Sequence, residues 1–217
     1  MNNILLEPTN YTEFVFGDKE SEKLIDLIIE QKLAFPSFGK SGLILYGAFG
    51  TGKTCFANVF CHDFEKSISD SNMNCKPIIY NCDKTMAIDK ILKQCNATAD
   101  LVSFNNSGLH YFIFDEVDNL TVPAMRALKS FMNRKSIVCV LTTNYLNEID
   151  KGVIDRCHLI NFNMPPSSEL IKRIENIINS NGLPALTSKE IQNCLSENGV
   201  WRDILPMLSL TLNKKLN

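Results

Sequence analysis

No apolar stretch in this 217-residue chain approaches the roughly 20 residues that a membrane-spanning helix requires; runs such as Ile137 to Leu141 stop far short. Met1 to Asn10 lacks the basic start and apolar stretch of a signal peptide, so the expectation is a cytoplasmic protein, in a host cytoplasm if the source is viral. An excess of basic residues is also missing. With 22 Lys and Arg against 24 Asp and Glu, the net charge of −2 offers no general attraction to nucleic acid, and any such contact has to rest on a local patch. The eight cysteines never form a C-x-x-C pair. A zinc site built from Cys61, Cys75, Cys82 and Cys95 is the alternative to reduced, mostly buried thiols, and the thiol reading is preferred. Internal repeats and low-complexity tracts are absent as well. What is present, 45% hydrophobic and 21% charged residues, excludes a disordered or collagen-like chain and is enough for one domain with a small appendage.

The apolar pattern alternates between strand and helix up to about Pro166 and is helical after it. Gly42 to Tyr46 reads as a strand, and Lys53 to Phe64 as a helix with Phe56, Val59, Phe60 and Phe64 on one face. Pro77 to Cys82, Tyr111 to Phe114, Ile137 to Leu141 and Leu159 to Phe162 are further strands, and Ala87 to Leu92 is a short helix. Uninterrupted apolar strands suit a parallel sheet covered on both faces. Thr121 caps a helix that has Pro123 in its first turn and Met125, Leu128 and Met132 on its inner face. After Pro165 and Pro166, Ser167 is the expected cap of a helix carrying Leu170, Ile171, Ile174, Ile177 and Ile178. Thr187 and Glu190 stand at capping-box spacing, and a last helix holds Ile204, Leu205, Leu208 and Leu212. The expected fold is therefore α/β, a P-loop parallel sheet flanked by helices over residues 1–164, followed by a small all-helical lid over 165–217.

Gly47-Ala48-Phe49-Gly50-Thr51-Gly52-Lys53-Thr54 matches G-x-x-x-x-G-K-[ST] between a predicted strand and a predicted helix. Glycines let the backbone wrap phosphates with its N–H groups inward, and the helix N-terminus adds a favourable dipole. Lys53 reaches the β and γ phosphates, and Thr54 offers a hydroxyl to Mg²⁺. Residues 47–55, Cys55 included, are thus expected to bind ATP. Downstream, Tyr111-Phe112-Ile113-Phe114-Asp115-Glu116 ends a buried strand in two acids. Asp115 is suited to the Mg²⁺ shell, and Glu116 to orienting and deprotonating an attacking water. Asn144, at the tip of the Val138 to Leu141 strand, can hydrogen-bond the γ-phosphate or that water. Arg156 and Arg202 are candidates for spread phosphoryl charge, because a guanidinium stays ionised and donates several hydrogen bonds at once.

In this order the elements resemble an AAA+ ATPase: Walker A at Gly47 to Thr54, Walker B at Phe112 to Glu116, sensor 1 at Asn144, an arginine finger at Arg156 and sensor 2 at Arg202. Within that family the chain is most similar to clamp-loader ATPase subunits, those of T4-like phages and the replication factor C small subunits. Asp115-Glu116-Val117-Asp118 resembles their D-E-x-D segment, with Ala124, Leu128, Lys129, Ser130, Phe131 and Met132 in the helix behind it. Arg156-Cys157 falls at their S-R-C motif, and Asn81-Cys82-Asp83 where relatives have an N-A-S-D-like segment. Pro8, Phe14 and Gly17 resemble the N-terminal box that helps enclose adenine, and Phe16 within it is assigned to the base. The pattern is broken at Asp155, where the family has serine, and at Glu7, where it has arginine. The collar that such subunits carry is expected to be missing after the lid, so that it lies on another polypeptide or the chain is a stripped ATPase module.

The resemblance implies an ATPase using ATP and Mg²⁺, active in an oligomer and working in DNA replication. Lys53, Thr54, Asp115, Glu116, Asn144 and Arg202 then act in cis, and Arg156 acts on a neighbour's γ-phosphate. The expected partners are DNA and a replication protein such as a sliding clamp or a helicase, with no membrane contact. Arg126, Lys129 and Asn133 recur at helical spacing on the side away from Met125 and Leu128, and Arg134 follows; Arg126, Lys129 and Arg134 are the candidate DNA contacts, and an ordinary solvated face is the alternative. A helicase-loader or initiator ATPase, a superfamily-3-like viral helicase and a small P-loop nucleoside kinase are the other readings of the same loop.

Overall fold

The computed structural model describes residues 7–69, 75–83, 88–195 and 199–216. After helix α1 (Lys19–Ile29), which Asp18 caps by accepting from the Ser21 N–H, the chain enters strand β1 (Gly42–Tyr46). Helix α2 (Lys53–Ser69), strand β2 (Ile78–Asn81), helix α3 (Ile88–Ala99) and strand β3 (His110–Asp115) follow. Next come α4 (Val122–Phe131), β4 (Ile137–Thr143), the short α5 (Lys151–Asp155) and β5 (Cys157–Asn161). The chain then continues through α6 (Ser167–Ser180), α7 (Ser188–Cys194) and α8 (Trp201–Leu216). The five expected strands are all present and all parallel, in the order β2-β3-β4-β1-β5.

Alternation along each strand divides the core into two layers. Leu43 and Leu45 of β1, Tyr111 and Ile113 of β3, and Val138 and Val140 of β4 pack with Ile25 and Ile28 of α1 and Phe56, Phe60 and Phe64 of α2. Ile44, Phe112, Phe114, Cys139 and Leu141 point to the other face and meet Leu92, Cys95, Met125, Leu128, Phe131 and Val153. A sheet buried on both faces needs such continuous apolar strands. The helix over Lys53 to Phe64 runs five residues further than expected, and its Phe60 and Phe64 rings stack with centroids 5.5 Å apart.

The two-layer core also removes the zinc alternative. Cys61 and Cys75 lie in the α2 layer, Cys82 and Cys95 in the layer beyond the sheet. Among the described residues no group of three His, Cys, Asp or Glu could hold a metal. Burial pushes the Cys75 and Cys82 thiols up to about 12, so they are apolar packing groups. A second correction concerns Ser167: it is the first residue of α6, the cap position falls on Pro166, and no side chain makes the capping bond. Ala87, the expected start of the α3 region, lies outside the described residues.

Helices α6, α7 and α8 enclose a separate core of Leu170, Ile174, Ile178, Ile191, Cys194, Ile204, Leu208 and Leu212. Thr187 and Glu190 form the expected capping box at the start of α7. Among the described residues no helix is long and apolar enough to cross a membrane.

Candidate active site

Because the strands are parallel, the loops after β1, β3 and β4 emerge at one edge of the sheet, and they converge there. The loop after β1 turns through Gly47 (φ 151°) and Gly50 (φ 74°). A Cβ at Gly50 would sit 3.0 Å from the Arg202 Cβ, so glycine is required both by the backbone and by the close approach of α8. The Arg202 N–H donates to the Gly50 carbonyl (3.2 Å), which ties the helical lid to the phosphate loop.

Lys53 is buried, and its ammonium donates to the carbonyls of Gly47 (2.9 Å) and Ala48 (2.7 Å) and to Asn144 Oδ1 (2.8 Å). Desolvation pushes its pKa down to about 8, opposed by the nearby charges of Asp115, Asp118 and Glu116. Thr54 Oγ1 donates to Asp115 Oδ1 (2.8 Å), so the two oxygens assigned to Mg²⁺ meet. A hydroxyl and a carboxylate are hard oxygen donors that suit a small divalent cation, and these residues fit Mg²⁺.

Glu116 adopts a left-handed backbone (φ 56°), a strained conformation for a non-glycine residue. It is held there by Thr142, whose hydroxyl accepts from the Glu116 N–H (2.9 Å) and donates to Asp115 Oδ1 (2.5 Å). Asp118 accepts from Thr143 Oγ1 (2.6 Å) and from the Asn144 N–H (3.3 Å), fixing the tip of β4. Asn163 Oδ1 accepts from the Ala48 N–H (3.2 Å). Sequence reasoning gave no site role to Thr142 or Asn163. Thr142 follows a recognisable strand and Asp118 belongs to the quoted D-E-x-D run, but only the register of β3 against β4 shows what they bind.

Lys53, Thr54, Asp115, Glu116, Thr142 and Asn144 line a cavity of about 330 Å³ together with residues of the phosphate loop and Trp201, Arg202 and Leu205 of α8. Beside it lies a second, more apolar cavity of about 250 Å³ between Pro8, Phe14, Val15, Cys55, Ile177, Trp201 and Leu205. Phe14 therefore faces this hollow. Phe16 does not: it is buried, with its ring against Phe56 and Phe162. Arg173 of α6, which sequence reasoning also missed, lines the apolar cavity, and burial lowers its pKa from the ordinary arginine value.

Arg156 lies at the opposite edge. Its carbonyl accepts from the N–H groups of Ser41 and Gly42 at the start of β1, five residues before the phosphate loop begins. At about 3.3 Å per residue this separates it from Gly47 by about 16 Å. Its side chain donates to Asn133 Oδ1 (2.8 Å) and the Gly152 carbonyl (2.7 Å). Of the basic residues in and after α4, Arg126 is exposed. Lys129 pairs with Asp150 (3.4 Å) and lies against Gly152, while Arg134 donates to Asn96 and Asp100 of the α3 region. The stripe expected to lie in solvent is thus partly occupied in joining α4 to its neighbours, which sequence spacing on one helix cannot reveal.

A five-stranded parallel sheet carrying this loop, the Thr54–Asp115 pair and the adjacent Glu116 defines a P-loop nucleotide-binding protein. The profile of the ATPase family associated with various cellular activities matches residues 43–164, more than half of the chain. The chain belongs to that family. Curated relatives include replication factor C small subunit 1 of Pyrobaculum arsenaticum, 27% identical over 174 residues that span 77% of this chain and 51% of the relative. Replication factor C subunit 3 of Saccharomyces cerevisiae is 26% identical over 169 residues, 76% of this chain and 48% of the relative. The chain spans about half the length of these relatives. A solved structure of the Aeropyrum pernix ORC1 protein in complex with DNA aligns with a TM-score of 0.60 over 98% of this chain and 64% of that one, at 18% identity, and shows the shared fold.

Proposed function

We propose that the protein hydrolyses ATP to ADP and phosphate as one subunit of a clamp-loader-like DNA-replication assembly, and that the hydrolytic site is completed by a neighbouring subunit. The observation that carries this reading is the separation of Arg156 from the Lys53–Asp115–Glu116 cluster by the length of a strand.

In this reading the adenine enters the apolar cavity beside Phe14 and Trp201, and the phosphates lie over the N-terminus of α2. Lys53 exchanges its loop carbonyls for phosphate oxygens and so moves its charge from a site that disfavours it to one that needs it. Thr54 and Asp115 hold Mg²⁺, which when bound neutralises phosphate charge. Glu116, aimed by its left-handed backbone and the Thr142 bond, takes the proton from the attacking water, and Asn144 orients it. Arg202 reports the phosphates to the lid through its own N–H bond to Gly50.

The test is Arg156→Ala. An arginine finger is worth on the order of 10³ to 10⁵ in rate, so the variant is expected to bind ATP normally and lose turnover in the assembled state. Unchanged turnover would remove Arg156 from the reaction. For DNA, the measurement is affinity for a duplex oligonucleotide across a salt series with a non-hydrolysable ATP analogue; a flat response would show that phosphate contacts contribute nothing.

A further inference from the structure

On the Arg156 side of the molecule, residues 37–40 form a tight turn. Ser37 and Lys40 make an isolated antiparallel bridge, with the Ser37 N–H donating to the Lys40 carbonyl (3.0 Å) and the Lys40 N–H to the Ser37 carbonyl (2.8 Å). Both central residues have positive φ, Phe38 at 51° and Gly39 at 79°. Such a turn favours Asn, Asp or Gly at its first central position, and a bulky side chain there is strained. Phe38 gains no packing in return, being 94% exposed. A strained turn that holds a large aromatic ring in water fits a contact surface, not a core.

The surroundings of the ring are basic. Lys40, Lys135 and Arg134, the last paired with Asp100, line the groove beneath Phe38 together with Asn133, the residue that holds the Arg156 guanidinium. At the opposite edge of the sheet the signs reverse: Asp115, Glu116 and Asp118 stand around Lys53, where a bound nucleotide adds its phosphates. That edge also exposes a pair of aromatic rings. Phe49, in the phosphate loop, and Tyr145, immediately after Asn144, are about half exposed and meet edge to face with centroids 6.1 Å apart.

We propose that Phe38 is the knob by which one copy of the chain docks on the next, its ring packing against the Phe49–Tyr145 pair beside that copy's phosphate site. The proposal rests on the reading in which Arg156 acts in trans, and deepens it by naming what seats the arginine. The partner is a second copy because the two faces are opposite in charge, each carries an exposed aromatic group, and the donor face already holds Arg156. Since the faces differ and lie at opposite edges, the contact is head-to-tail, not two-fold. Aromatic rings that meet in a desolvated contact carry a large share of interface energy. A single-stranded nucleic acid stacking on Phe38 is the competing occupant.

The experiment measures ATP turnover against protein concentration for the full chain. Wild type is expected to rise cooperatively, and Phe38→Ala and Tyr145→Ala each to need about tenfold more protein, the size of a lost aromatic contact. Mixing the two variants is expected to recover activity that neither shows alone, because the Tyr145→Ala chain offers an intact Phe38 to the intact acceptor of the Phe38→Ala chain. Phe38→Asn, which suits the turn, is expected to melt no lower than wild type yet to show the same assembly defect, which separates docking from folding. A wild-type concentration profile for Phe38→Ala, or no recovery on mixing, overturns the aromatic contact. Loss of single-stranded oligonucleotide affinity with assembly intact overturns it in favour of nucleic acid. Arg156→Ala keeps the two ideas apart: if it is inactive while Phe38→Ala is normal, only the knob fails, whereas turnover flat with concentration and indifferent to Arg156 removes the trans reading itself.

Discussion

Thr142 is 1% exposed, and one hydroxyl serves both acids of the site, donating to Asp115 and accepting from the Glu116 N–H. Replacing it with valine keeps the shape and leaves a polar group unpaired, which costs about 1–3 kcal/mol. Because the change falls on the aim of Glu116, Thr142→Val is expected to lower kcat by about tenfold or more, with the ATP Kd changed less than threefold and with recovery in Thr142→Ser. An equal loss in Thr142→Ser would mean that packing, not the hydroxyl, sets the rate. In the proposed mechanism Lys53 acts instead on binding. A charged hydrogen bond is worth about 1.5–3 kcal/mol, so Lys53→Ala is expected to raise the ATP Kd by about ten- to a hundredfold, measurable by calorimetry. At this scale the sequence was informative where a residue belongs to a spaced motif. Lys53, Thr54, Asp115 and Glu116 could be named from spacing, whereas Asn163 and Arg173 could not, since they come from distant strands and helices that only the fold brings to the loop.

Helix α7 shows how local chemistry stabilises an element. The Thr187 hydroxyl accepts from the Glu190 N–H, the Glu190 carboxylate accepts from the Thr187 N–H, and Lys215 of α8 donates to the same carboxylate (2.8 Å). The Lys215 bond, then the Thr187 bonds, hold the Glu190 carboxyl down at about 2, below its ordinary 4.5. A carboxyl depressed by folding contributes stability that is present above the ordinary value and is lost as pH falls from about 4.5 toward 2. Thr187→Ala is expected to cost about 1 kcal/mol at neutral pH, seen as faster hydrogen exchange in α7. The stability difference between wild type and Glu190→Gln is expected to shrink as the solution approaches pH 2; a difference that persists there would show that the charge is not what matters. Five strands and the capping box were legible because each depends on residues within a few positions of one another. The ends were less so: α6 starts at Ser167 after Pro166, which makes no side-chain cap, and α2 continues past Phe64, because packing rather than local propensity decides where these elements begin and stop.

For the molecule as a whole, the cavity proposed for the nucleotide lies between the sheet and the C-terminal helices. Trp201 and Leu205 of α8 line both cavities, and Gly50 accepts from the Arg202 N–H. Trp201 is the single tryptophan of the chain, so ATP is expected to change its fluorescence in a saturable way, and Arg202→Ala to weaken that response. At a hundredfold excess over Kd the nucleotide is expected to stabilise the protein by about 2.7 kcal/mol, a rise of several degrees in Tm; a fluorescence change without that rise would place ATP elsewhere. The sequence alone determined the parallel α/β class, the phosphate loop and the acids after the third strand, since a spaced motif and an apolar run carry their physics within a short segment. The tertiary structure alone decided which of these groups touch. The order β2-β3-β4-β1-β5 brings Thr142 to Asp115 and Glu116, turns Phe16 into the core while Phe14 faces the cavity, and leaves Arg156 and Phe38 on the far side from the phosphates. Distances between segments far apart in the chain are set by packing across the whole core, and no local pattern encodes them.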